Sequence, residues 1–82
     1  MWYVYIIKSM VKRWYYVGST NRLEQRLKEH NSGKVSSTKK YVPFEIVYKL
    51  VFNDEKSARS YERKLKDCRR EKEKIILEVE NR

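Results

Sequence analysis

The sequence predicts an α+β fold, a small three-stranded antiparallel sheet flanked by helices in the order β-β-α-β-α-α. Three observations lead there. Two short runs rich in β-branched and aromatic residues, 2–8 and 14–18, lie close enough together to form a hairpin. A third run, Phe44 to Phe52, follows Pro43 and alternates at Phe44, Ile46, Tyr48 and Leu50. Between and after these runs, apolar residues recur at helical spacing.

The first two strands carry apolar residues at successive positions (Val4, Tyr5, Ile6, Ile7), so both faces of the sheet are expected to be covered. The polar stretch Ser9 to Arg13 supplies the hairpin turn. Asn21-Arg22-Leu23-Glu24 has the spacing of a capping box, and Gly33 fits the residue just past a helix end. That helix carries a narrow apolar stripe, Leu23 and Leu27. Residues 34–41 form a polar, basic loop with room for a short helical turn. Asn53-Asp54-Glu55 opens the next helix, with acidic residues at its positive end. Ala58, Tyr61, Leu65 and Cys68 share one face of it. A last helix, about residues 71–79, returns Ile75, Ile76 and Val79 to the core. Eighty-two residues with no repeat and no linker are expected to make one domain, 1–82.

Twenty Lys and Arg against eleven Asp and Glu leave a net charge of +9. So much charge on so small a body favours a polyanionic partner, and nucleic acid is the expected one. A membrane surface would call for an amphipathic helix with Trp and Lys on opposite faces, but Trp2 and Trp14 lie in strand segments. Membrane partners are therefore not expected. One cysteine and one histidine exclude an internal disulfide and a structural zinc site. No segment reads as a signal peptide or a membrane span, and the cytoplasm is the expected compartment.

Most catalytic site types are excluded as well. Two glycines cannot build a phosphate-binding glycine loop, and no Gly-x-Ser-x-Gly elbow is present. What remains is a set of polar residues at the edges of apolar faces. Arg26 and His30 stand four apart on one helix face beside Leu23 and Leu27. Taken alone they read as a solvated arginine and a partly buried histidine. Glu62, among Arg59, Arg63 and Lys66, reads alone as a salt-bridged surface residue. Tyr5 and Tyr16 fall on adjacent strands, where packing explains a tyrosine well.

Together these residues say more. Tyr3-Val4-Tyr5 and Tyr16-Val17-Gly18 resemble the paired tripeptides that define the GIY-YIG nuclease superfamily. Gly18-Ser19-Thr20-Asn21, the run Arg26 to Gly33, and Ala58-x-x-x-Glu62 followed by Lys64-Leu65-Lys66 continue the resemblance in order. It covers nearly the whole chain, and is nearest to the small stand-alone members related to the excision-repair incision nuclease. Three positions depart from the pattern. Tyr3 replaces the first glycine, Ser19 stands where the repair branch often carries lysine, and only Asn81 offers itself for a late asparagine, Lys74 occupying the nearer spacing.

The resemblance implies a metal-dependent endonuclease that hydrolyses DNA phosphodiester bonds. Tyr5 and Tyr16 would be the motif tyrosines, one of them activating or positioning the attacking water. Arg26 would hold the scissile phosphate and His30 assist proton transfer. Glu62 would bind a single divalent ion, Mg2+ or Mn2+, and Gly18 would keep the site uncrowded. Lys34, Lys39, Lys40, Arg63 and Lys66 are the expected nucleic-acid contacts. DNA is the expected partner, with RNA not excluded. The same residues also allow a binding module of this fold with weak or lost catalysis, acting alone or beside a larger protein partner in repair or recombination.

Overall fold

A computed structural model describes residues 1–82. Strands β1 (Trp2–Ser9), β2 (Tyr15–Thr20) and β3 (Phe44–Phe52) form one antiparallel sheet in the order β2-β1-β3. Helix α1 (Leu23–Asn31) lies between β2 and β3 in the chain, and α2 (Glu55–Asp67) and α3 (Arg69–Glu80) follow β3. The expected α+β order is observed.

β1 is central and is covered on both faces, which explains its unbroken apolar run. Val4 and Ile6 enter one layer with Tyr15, Val17, Ala58, Leu65, Ile75 and Ile76. Tyr5 and Ile7 enter the other with Phe44, against Leu23 and Leu27 of α1. The sheet thus separates a larger core under α2 and α3 from a smaller one under α1.

Two local expectations are corrected. Asn21 does not cap α1: Arg22 holds the N-cap position with no side-chain cap, and the Thr20 hydroxyl accepts from the Arg22 amide at 3.1 Å instead. The chain is still leaving β2 at Asn21, so the helix starts one residue late for a capping box. In β3 the alternation fails after Ile46, because a bulge opposite Ile6 and Ile7 leaves Val47 unpaired with β1. The extra residue flips the side chains beyond it. Val47 and Tyr48 pack on the larger core, and Leu50 is exposed.

Other signals hold. Gly33 adopts φ +78 just past α1, a left-handed conformation suited to glycine. Asp54 caps α2, its carboxylate accepting from the Ser57 amide at 2.7 Å. The loop before β3 closes with a 3-10 turn at Lys39–Tyr41. It is anchored by the Ser9 hydroxyl, which donates to the Tyr41 carbonyl at 2.7 Å. Asn31, at the end of α1, bonds both the amide (2.6 Å) and the carbonyl (3.2 Å) of Phe44, fixing α1 to β3. These ties hold the α1 layer in place without a large apolar core.

Candidate nucleic-acid cleavage site

The sheet register brings the motif residues together. Tyr5 pairs with Gly18, and Ile7 with Tyr16, so the Tyr5 phenol lies directly across Gly18. A Cβ at position 18 would stand 2.5 Å from the Tyr5 hydroxyl oxygen and 2.6 Å from Cζ. Only glycine leaves room for that ring. The observed geometry thus accounts for Gly18 in steric terms.

His30 comes down from α1 onto the same face. Its Nε2 lies 3.0 Å from the Tyr5 hydroxyl, and its Nδ1 lies 2.9 Å from Oγ1 of Thr38. His30 and Thr38 are fully buried and Tyr5 nearly so. The sequence placed His30 at the rim of the core, but the loop 34–41 folds over it and seals it in. Desolvation, helped by the Arg26 charge, pushes the His30 pKa down to about 4, so the ring is neutral at neutral pH. Burial likewise pushes Tyr5 up to about 12, against the opposing pull of the neighbouring Arg26 guanidinium. Arg26 is half-buried and paired with Glu29 at 3.0 Å.

Tyr16 shares this layer, its ring centroid 5.2 Å from that of His30. Tyr15 points the other way, into the larger core, and its hydroxyl donates to Glu80 at 2.8 Å. Tyr16 is half-buried, and its hydroxyl has no hydrogen-bond partner within the protein. Trp14 and Tyr41 continue the aromatic row, stacked with centroids 4.1 Å apart.

Glu62 reaches the site from α2, around the open edge of β2. The Ser19 hydroxyl donates to its Oε1, and the Lys66 ammonium lies 2.7 Å from its Oε2. Lys66 also stands 5.4 Å from the centroid of the Tyr16 ring. A cleft of about 260 Å³ runs between the end of β2 and α1, lined among others by Ser19, Arg26, Glu29 and Arg59. Tyr5, Tyr16, Gly18 and His30 therefore share the α1 side of the sheet with Arg26, while Glu62 stands on α2 across the β2 edge and meets them through Ser19 and Lys66. Asn81 is not among them. It ends α3 next to Glu80, which bonds Arg13 and Tyr15 at the hairpin end of the sheet. Lys74 is exposed on the outer face of α3.

No group of three or more His, Cys, Asp and Glu side chains is assembled anywhere. The donor set at Glu62 is one carboxylate and one hydroxyl. That suits a hard ion such as Mg2+, which keeps several waters and takes its remaining ligands from phosphate, and suits zinc poorly.

Of the expected nucleic-acid contacts, Lys34, Lys39 and Lys40 are exposed in the loop that carries Thr38. Arg63 and Lys66 are exposed on α2, and Arg63 pairs with Asp67 at 3.5 Å. Sequence reasoning missed Thr38 and the part Ser19 plays. Both are small hydroxyl residues in polar segments, and only the three-dimensional path of the chain gives them a partner.

A family model described as the GIY-YIG catalytic domain matches residues 1–75. The chain belongs to the GIY-YIG family. This GIY-YIG chain is 32% identical over 77 residues to UPF0213 protein YazA of Bacillus subtilis, covering 93% of itself and 77% of that protein. It is 38% identical over 76 residues to UPF0213 protein OB0043 of Oceanobacillus iheyensis, covering 90% and 87%. The solution NMR structure of UPF0213 protein BH0048 from Bacillus halodurans superposes with a TM-score of 0.56 at 33% identity, over 93% of this chain and 83% of that one. The GIY-YIG family is a nuclease family, and no helix of this member is long and apolar enough to cross a membrane.

Proposed function

We propose that this protein is a metal-dependent endonuclease that hydrolyses DNA phosphodiester bonds at the β2 end of its sheet. The observation that supports the reading is that Arg26 and Ser19 line one cleft, with the Glu62 carboxylate bonded to that Ser19 and the buried Tyr5–His30 pair beside Arg26. Cleavage of a phosphodiester needs an activated water, positive charge on the phosphate oxygens and help for the leaving oxygen.

Arg26 supplies a fixed charge at the cleft and grips the phosphate. The Tyr16 hydroxyl, half-exposed and unbonded, takes the attacking water. Tyr5 is buried and committed to His30, so it holds the geometry instead of meeting the water. Glu62 is the residue that would hold the divalent ion, with Ser19 orienting its carboxylate. That ion, when bound, supplies Lewis-acid stabilisation of the phosphate. Lys34, Lys39 and Lys40 meet the DNA backbone, where binding is sequence-independent and driven by counterion release.

One observation favours the rival reading of a binding module without catalysis. Both oxygens of Glu62 are engaged, by Ser19 and by Lys66, so Lys66 competes for the position a metal would take. Nicking of supercoiled plasmid by the purified chain, with and without Mg2+, separates the two. The expected outcome is Mg2+-dependent nicking by wild type, none by Glu62→Gln, and unchanged folding and DNA affinity in that variant. Binding without nicking in any metal would establish the rival. Affinity that does not fall between low and physiological salt would refute both.

A further inference from the structure

The buried polar groups under α1 form a chain in which every proton can be placed. The Arg26 guanidinium stands beside the Tyr5 hydroxyl and can only donate to it. The Tyr5 proton then needs an acceptor, and the one within reach is His30 Nε2, at 3.0 Å. A neutral imidazole that accepts at Nε2 carries its hydrogen on Nδ1. That hydrogen meets Thr38 Oγ1 at 2.9 Å, and the Thr38 hydroxyl donates onward to the Val35 carbonyl at 3.3 Å. No buried side-chain nitrogen or oxygen is left unpaired by this arrangement. Reversing the histidine would strand the Tyr5 proton between two donors, Arg26 and Nε2–H.

We propose that Thr38 is a positioning residue that fixes His30 in the Nδ1–H tautomer, and through Tyr5 fixes the direction of the phosphate-gripping Arg26. This rests on the nuclease reading for its consequence in cleavage, though not for the tautomer itself. Three hydrogens point away from the cleft towards the loop, from Tyr5 to His30, Thr38 and the backbone, and the Arg26 guanidinium stands beside Tyr5 where they start. Losing the Thr38 hydroxyl removes the acceptor for Nδ1–H in a fully buried place. The imidazole then has no reason to keep its hydrogen there. With the hydrogen on Nε2, Tyr5 becomes an acceptor from His30 and turns its own proton towards the guanidinium. Thr38 also lies in the segment that carries Lys34, Lys39 and Lys40, so the loop that faces the backbone is the loop that sets the clamp.

The chain contains a single histidine, so its imidazole nitrogens can be read without assignment ambiguity. Long-range ¹H–¹⁵N spectra of ¹⁵N-histidine-labelled wild type, Thr38→Val and Thr38→Ser test the tautomer. Single-turnover cleavage with each variant tests the consequence, and thermal melts report folding. Wild type and Thr38→Ser should show a protonated Nδ1 and a bare Nε2. Thr38→Val, equal in shape, should populate the Nε2–H form and lose about tenfold or more in rate, the scale typical when a partner that orients a functional histidine is lost. Wild type protonated at Nε2, or Thr38→Val with an unchanged tautomer, overturns the assignment. A changed tautomer with a cleavage rate within twofold of wild type overturns the positioning role and leaves the nuclease reading standing. A wild type that cuts no DNA refutes the nuclease reading, and the spectra still decide the tautomer. If Thr38→Val does not fold, Thr38→Ala under the same spectra serves in its place, with the same outcomes.

Discussion

Beneath α2 and α3 the sheet buries aliphatic side chains and one tyrosine whose hydroxyl escapes to Glu80. Beneath α1 it buries three hydrophobic residues together with a histidine, a threonine and the proton chain that joins them. The first layer can be held by area alone, because its contacts are non-directional. In the second layer each partner must sit at a fixed distance and angle, and the backbone ties from Asn31 and Ser9 do the work that apolar area does elsewhere. The lesson is a division of labour. Damage to the larger core should cost stability and spare chemistry per folded molecule, whereas damage to the α1 layer should do the reverse.

Leu65→Ala is the strongest way to break that contrast. Leu65 is fully buried at the centre of the larger core. Its truncation should cost about 2–5 kcal/mol, a large share of what a chain this small possesses. Urea denaturation checks the loss. Cleavage corrected for the folded fraction should stay within about twofold, and a larger fall would mean the two layers are coupled.

The two neighbouring tyrosines sharpen it. Tyr15 and Tyr16 enter opposite layers. Tyr16→Phe should reduce the single-turnover rate about 10²-fold with little change in melting temperature. Tyr15→Phe should leave the rate within a few-fold and cost about 1 kcal/mol, the hydrogen bond to Glu80. The opposite pattern would assign the water-activating role to the wrong strand face.

How much of this was legible without coordinates differs between the layers in the same way. The apolar periods announced β1, β3, α2 and α3, because burying carbon leaves a repeat in the sequence. The break at Val47 left none: a bulge adds a residue without changing composition, so the alternation of Phe44, Ile46, Tyr48 and Leu50 looked regular and was not. Arg26, His30 and Glu62 could be singled out through the motif spacing. Thr38 could not, since a threonine in a polar loop carries no signal until the loop is seen to fold over His30. Ser19 was noticed only as a departure from the lysine of the repair branch. In the folded chain a cation does come close to that place, delivered by Lys66 from α2.

The smallest expected effect is on the pH dependence of folding, and it tests whether the α1 layer is as dry as its geometry requires. His30 is held neutral in the folded state, its pKa lowered from 6.5 to about 4 by desolvation first and the Arg26 charge second, with Glu29 opposing. In the unfolded chain the ring returns to its ordinary value. Between pH 6.5 and 4 the unfolded state therefore binds a proton that the folded state refuses, and stability falls as pH falls across that window. The contribution is complete above pH 6.5, and its full loss by pH 4 would amount to at most about 3 kcal/mol. Asp54 and Glu80 act differently. Their carboxylates are held below the ordinary range by hydrogen bonds, the one from Ser57 and the other from Arg13 and Tyr15, so their contributions are present above the unfolded carboxylate pKa and lost only below it. Restricting the measurement to pH 6.5–5 isolates the histidine. Urea midpoints should fall over that range for wild type and stay level for His30→Gln, which cannot take a charge. A wild-type curve as flat as the variant's would mean that water reaches the imidazole, and the α1 layer would then be open and not sealed by the loop that carries Thr38.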